Sequence, residues 1–251
     1  MQWFEKEDFW INYSPIMFDD ARWQEAPDVA KYVKKIANLK ENSSVLDAGC
    51  GIGRISVELA VLGLKVTGVD IIQAELDAAK ESADDEGVEL TLLNADLRNF
   101  KTEKKFDCAV NLYTSFGYCE TIEEDMMILK NIYDSLKSNG TFILECTSRE
   151  TAIMYFTKGE IFDRANFTVK THFEVVGAWE GLRSKWELYE CGKVDNSTPI
   201  FSHEFVQRLY SAADLRNQLL KIGFRNVKVY GDFDFSPYNE TSRTMVIVAV
   251  K

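Results

Sequence analysis

Between Ser44 and Leu62 the chain reads S-V-L-D-A-G-C-G-I-G-R-I-S-V-E-L-A-V-L. A short β-rich run, Val45 and Leu46, ends in the carboxylate Asp47. Three alternating glycines follow (Gly49, Gly51 and Gly53), and Ile55, Leu59 and Leu62 then recur on one helical face. Strand, glycine turn and helix in that order let bare backbone approach a ligand at the end of a strand and the start of a helix. Such a unit needs further strands and helices to bury its apolar faces.

Downstream residues supply them. From Ser44 to Thr147 the pattern alternates between strand and helix, which predicts a doubly wound, mostly parallel α/β sheet. Five strands are expected at Val45–Asp47, Lys65–Asp70, Glu89–Leu93, Phe106–Leu112 and Gly140–Cys146. Ile72, Leu76, Ala79 and Ala83 define one intervening helix; Ile122, Met126, Leu129, Ile132 and Leu136 define another. Thr121-Ile-Glu-Glu124 reads as the capping box of the latter, and Asn139-Gly140 as its stop. Ser211 opens a further helix with Leu215, Leu219 and Ile222 inward and Gly223 at its end. Strands at Val227–Tyr230 and Thr244–Val250 then predict an antiparallel hairpin that completes a seven-stranded sheet.

One domain spanning residues 1–251 is expected, with two elaborations. Residues 1–40 form an aromatic arm (Trp3, Phe4, Phe9, Trp10, Tyr13, Phe18, Trp23) leading into a helix that carries Val29, Val33 and Ile36. Residues 149–208 break the alternation: Phe167, Val169, Thr171, Phe173 and Val175 follow strand periodicity, as do Trp186 and Leu188, then Phe205, Gln207 and Leu209. This segment reads as an inserted antiparallel β layer.

Composition narrows the partners. The formal net charge is −11 and no Lys/Arg cluster stands out, so nucleic acid is not the expected partner. The acidic start M-Q-W-F-E-K-E-D lacks the pattern of a signal peptide, and Met245–Val250 is too short an apolar run to span a bilayer. Five scattered cysteines without a C-x-x-C pair, and only two histidines, predict reduced thiols, a cytoplasmic setting and no metal site.

Three carboxylates end or follow successive strands: Asp47, Asp70 in V-T-G-V-D-I and Asp96 in L-N-A-D-L. In a doubly wound sheet such positions converge beyond the carboxyl edge. Each alone could be a turn or capping residue. Together with the D-x-G-x-G-x-G turn they resemble the class I S-adenosylmethionine-dependent methyltransferases. Dehydrogenases that bind nicotinamide dinucleotides use G-x-G-x-x-G instead, and here the third glycine comes one residue early.

That resemblance implies S-adenosyl-L-methionine as cofactor and assigns positions to it. Asp47, with Ala48, Gly49 and Gly51, would hold the amino-acid end. Asp70 would take the ribose hydroxyls, Ile71 the adenine face, and Asp96 and Leu97 the adenine edge. Asn111 and Leu112 would form the floor. A closer likeness is to small-molecule methyltransferases, sugar N-methyltransferases among them, that carry an N-terminal arm and a β insert. T-S-F-G-Y (Thr114 to Tyr118), R-x-Y-S (Arg208 to Ser211) and S-x-R around Ser242 and Arg243 share in it. It places Tyr13 and Arg22 near the cofactor's carboxylate, the arm over the cofactor and the insert over the acceptor site.

Tyr113, Phe116, Tyr118, Trp179, Trp186 and Tyr238 are candidate acceptor contacts, with Phe233 nearby, or else core aromatics. His203 is the candidate general base. The expected reaction is methyl transfer to nitrogen or oxygen of a small molecule. A nicotinamide-dependent oxidoreductase and a non-catalytic binding protein are the alternatives, and homodimer formation is open.

Overall fold

The computed structural model describes residues 2–194 and 198–251. Strands β1 (Ser44–Ala48), β2 (Lys65–Asp70), β3 (Thr91–Asn94), β4 (Phe106–Asn111) and β5 (Leu136–Cys146) are mutually parallel. Two later strands, β10 (Arg225–Tyr230) and β11 (Met245–Val250), extend the sheet, and β11 runs antiparallel to β5. The spatial order is β3-β2-β1-β4-β5-β11-β10. It reverses direction between β1 and β4, the place where a doubly wound sheet opens a crevice.

Alternation along the strands sorts the core into two layers. Val45, Val110 and Ile143 meet α2 (Asp20–Ile36) and α3 (Arg54–Val61) through Val29, Val33, Ile55 and Leu59. Leu46, Ala109, Phe142 and Leu144 point the other way. They bury Leu129 and Ile132 of α5 (Ile122–Ser135) and Leu215 and Leu219 of α7 (Ala212–Ile222). Each such side chain contributes roughly 1.5–3 kcal/mol by leaving water. The expected capping box is present at Thr121 and Glu124, and a second joins Ser211 to Asp214.

Some boundaries move. The helix expected to include Leu136 ends at Ser135, because Leu136 pairs with Phe106 and starts β5 one turn early. The third strand slides to Thr91–Asn94 to match Thr67–Asp70 of β2.

The arm is itself helical: a 3-10 turn (Trp3–Glu5) precedes α1 (Glu7–Met17). Phe9, Tyr13 and Ile16 fall on one face of α1 and are buried. They pack on the insert, a separate antiparallel sheet of β6 (Ile161–Arg164), β7 (Phe167–Val176), β8 (Gly181–Glu190) and β9 (Phe201–Arg208) in that order. A short helix, α6 (Arg149–Met154), joins this sheet to β5; Ser148 caps it by accepting from the Thr151 amide.

Candidate active site

The glycine turn is stitched to β2. Gly49 and Cys50 donate their amides to the Val69 carbonyl at 2.8 and 3.1 Å, and the Gly51 amide donates to Asp70 Oδ2 at 2.8 Å. Gly51 has φ +51°, a conformation that side chains disfavour. Gly53 serves packing: a Cβ there would lie 2.7 Å from the Ala79 Cβ, on α4 (Gln73–Asp85).

Four carboxylates line the resulting cavity. Asp47 is buried, accepts from Ser56 Oγ at 2.7 Å, and is pushed up to about 6 by burial. Asp70 accepts from the amides of Gly51 and Ile72; burial raises its pKa against those two bonds. Asp96 faces Arg98, which bonds both its oxygens and also Glu5 of the arm. Partial burial opposes ionisation of Asp96, but the Arg98 bonds hold it below the usual carboxylate range. The fourth is Glu75, absent from the sequence reading. It is 5% exposed, accepts from Ser14 Oγ of α1, and leaves Oε2 without a partner. Burial pushes it up to about 7, with the neighbouring Asp70 adding to the effect.

Beyond β4 the backbone is unusual. Tyr113 and Thr114 both adopt positive φ, +54° and +61°, where residues other than glycine are strained. Glu145 of β5 holds this turn, accepting from the Tyr113 amide at 2.7 Å and from Thr244 Oγ1. The turn lays the Tyr113 ring under the buried Arg54 guanidinium, 4.3 Å from its centroid. Tyr113 Oη is buried without a partner.

Arm and insert complete the enclosure. Trp3, Phe4, Phe9, Trp10, Trp186 and Phe205 line the cavity together with Tyr118. Trp3 stacks on Phe205 at 4.5 Å and meets Tyr118 edge-on at 5.0 Å.

Of the residues singled out from the sequence, Asp47, Gly49, Gly51, Asp70, Ile71, Asp96, Leu97, Leu112, Tyr113, Tyr118 and Trp186 share this cavity wall. Ala48 and Asn111 lie just behind it, joined by Asn111 Nδ2 donating to the Ala48 carbonyl at 2.6 Å.

The others lie outside the lining of this cavity. Tyr13 is fully buried between arm and insert and donates its hydroxyl to the Trp186 carbonyl at 2.7 Å. Arg22 pairs with Glu25 on α2, and its guanidinium stands 5.6 Å from the centre of the Tyr113 ring. Phe116 packs on Tyr210 in the main core. Trp179 sits at the β7–β8 turn against Phe156. Tyr238 bonds Ser148 Oγ at 2.6 Å, and Phe233 belongs to the core beneath α2. His203 lies behind the cavity wall, 4.7 Å from the Phe9 ring; its Nε2 has no partner, and burial lowers its pKa. A general base must reach the proton it removes, and His203 does not face the cavity.

The sequence reading missed Arg54, Glu75, Arg98 and Trp3. Arg54 directly follows the third glycine and Arg98 stands two residues after Asp96, which were the available signals; Glu75 and Trp3 come to the wall through long-range packing.

Residues 45–140 match a family described as a methyltransferase domain. Over those residues the chain carries a methyltransferase domain. A Geobacillus sp. (strain WCH70) protein bearing a methyltransferase name is 26% identical over 221 residues, 82% of this chain and 84% of that relative. Among solved structures, an S-adenosylmethionine-dependent methyltransferase from Clostridium acetobutylicum ATCC 824 superposes with TM-score 0.79 at 17% identity, covering 97% of each chain. An amino pentose methyltransferase from Micromonospora echinaspora superposes with TM-score 0.65 at 20% identity, covering 91% of each. The family match spans β1 to β4 and the first residues of β5, and the fold likeness extends over the rest of the sheet, the arm and the insert. All five cysteines are free thiols. Among the described residues no helix is long and apolar enough to cross a membrane.

Proposed function

We propose that this methyltransferase transfers the methyl group of S-adenosylmethionine to a nitrogen or oxygen of a small molecule, with arm and insert enclosing both reactants. The observation that carries the reading is the convergence of Asp47, Asp70 and Asp96 with a side-chain-free turn on one cavity. Partnerless polar atoms in the same wall, Glu75 Oε2 and Tyr113 Oη, fit a polar ligand there. The amino pentose methyltransferase of like fold supports a small-molecule acceptor.

Asp70 would accept from the ribose hydroxyls, Ile71 would pack on the adenine, and Asp96 and the Leu97 amide would read its edge. Asp47 would face the ammonium group, above the Gly49 and Gly51 backbone. Tyr113 and Arg54, which line the cavity, would face the cofactor's carboxylate, with Arg22 beside the Tyr113 ring. Asp47 and Glu75, both raised by burial, would ionise more readily beside a cationic ligand.

When bound, the cofactor supplies a methyl group on a sulfonium, already activated for transfer. What remains for the protein is orientation and exclusion of water, worth on the order of 7–11 kcal/mol. The aromatic cover performs the second task. Burial pushes the Tyr113 phenol up to about 12, so it stays protonated and acts as a hydrogen-bond donor. With His203 behind the wall, an acceptor that is nucleophilic without deprotonation, such as a neutral amine, suits the site best.

Calorimetric titration with S-adenosylhomocysteine tests this reading: saturable one-to-one binding is expected, and its absence refutes the proposal.

A further inference from the structure

One set of side chains on the cavity wall has no part in holding the cofactor. Trp3, Phe9 and Trp10 from the arm, Phe205 from the insert and Tyr118 after β4 form a continuous aromatic surface, and Trp186 of the insert lines the same cavity. Trp3 is its centre, with ring contacts to Phe4, Phe9, Trp10, Tyr118, His203 and Phe205. Trp3, Tyr118 and Cys119 also border a second, outer groove, so the indole forms part of the partition between groove and cavity.

Charge is scarce along this surface. Arg98 is shared among Asp96, Glu5 and Glu124. The Arg54 guanidinium, stacked between Tyr113 and Phe18 near the glycine turn, is taken up by the cofactor's carboxylate in the reading above. Neither cation is free to grip a phosphate or carboxylate carried by an acceptor. In contrast, one polar group on this surface stands out: the indole Nε1–H of Trp3 is buried and has no partner. A buried donor left unmatched is costly, and a ligand oxygen would relieve that cost.

We infer that the methyl acceptor is an uncharged, mainly apolar molecule, flat enough to lie on these rings, with an oxygen that accepts the Trp3 N–H. This rests on the methyltransferase reading above and deepens it. It departs from a phosphorylated or nucleotide-linked acceptor, which would require unpaired cations, and from a polyhydroxylated one, which would require several polar partners.

The experiment uses the full chain saturated with S-adenosylhomocysteine, and calorimetry with 4-aminoacetophenone, 4-ethylaniline and UDP-glucose. The first two share ring and amine but differ in the carbonyl oxygen. 4-Aminoacetophenone should bind at least tenfold more tightly than either of the others. Trp3→Phe, which keeps an aromatic ring and removes the N–H, should reduce its advantage over 4-ethylaniline to less than threefold. Equal binding of the two arylamines by the wild-type chain overturns the inference, as does tightest binding of UDP-glucose; both results stand even if Trp3→Phe misfolds. An advantage that persists in folded Trp3→Phe also overturns it. Failure of S-adenosylhomocysteine itself to bind overturns the cofactor reading and this inference with it, whereas cofactor binding with the wrong acceptor preference overturns the inference alone.

Discussion

Ser14 of α1 donates its hydroxyl to Oε1 of Glu75 on α4, so the covering arm and the cofactor crevice share one buried carboxylate. The other oxygen of Glu75 is partnerless on the same side of the molecule as the glycine turn, 3.4 Å from where a Gly51 Cβ would stand. This carboxylate links arm docking to the charge state of the crevice.

Glu75 therefore predicts a pH dependence. Its folded pKa of about 7 lies above the reference value of 4.5, because burial disfavours the charged form. The native state holds the proton more tightly than the unfolded state, so its stabilising effect is complete below about pH 4.5 and lost as pH rises through 7. Asp47, raised from 3.8 to about 6, acts in the same direction over a lower window. Glu75→Gln should be more stable than wild type at pH 8, by on the order of 2–3 kcal/mol, and should flatten the pH 4.5–7 slope. Urea unfolding across that range measures it; an unaltered slope contradicts the assignment.

Asp70→Asn tests the ribose site. The substitution keeps the shape and an acceptor oxygen but removes the charge. A hydrogen bond to a charged group contributes about 1.5–3 kcal/mol, so S-adenosylhomocysteine should bind about ten- to a hundredfold more weakly. The melting temperature should fall as well, since each Asp70 oxygen accepts a backbone amide, from Gly51 and from Ile72, and Asn offers one acceptor oxygen; affinity is therefore read below the variant's own unfolding transition. Undiminished affinity would remove Asp70 from the cofactor site.

Gly53→Ala is a packing test. The new methyl would collide with Ala79 at 2.7 Å, at a φ of +79° that alanine resists. Steric and backbone costs together predict about 2–4 kcal/mol of destabilisation, read by urea denaturation. A variant as stable as wild type would show that α3 and α4 can separate freely.

Tyr13→Phe separates the expected cofactor role from the observed one. It leaves the Trp186 carbonyl without its 2.7 Å donor and should cost about 1–3 kcal/mol in stability. Affinity for S-adenosylhomocysteine should change less than twofold. A tenfold loss of affinity would place the Tyr13 hydroxyl on the cofactor after all.

Much of the crevice was legible in sequence because it is built locally. Asp47, Gly49 and Gly51 lie within five residues of one another, and Asp70 and Asp96 each stand at or just beyond the end of a strand whose apolar pattern announces it. Strand periodicity and glycine chemistry are short-range signals. The positions of Tyr13 and His203, outside the cavity lining, were not legible for the opposite reason: nothing in their neighbourhoods says which of several apolar surfaces a covering element will meet. Tyr13 and His203 face each other's layers between arm and insert, where alternation alone cannot distinguish a core face from a cavity wall.

By itself, then, the sequence determined the alternating sheet, the bare-backbone turn and the order of the carboxylates, because these follow from repeating patterns read over a few residues. Only the tertiary structure decided that Glu75 and Arg54 join the site, that Arg98 ties Asp96 to the arm, and that Trp3 stands at the partition. Those positions depend on contacts between segments up to some two hundred residues apart, as in Trp3 stacked on Phe205, and such contacts arise from how whole faces fit together.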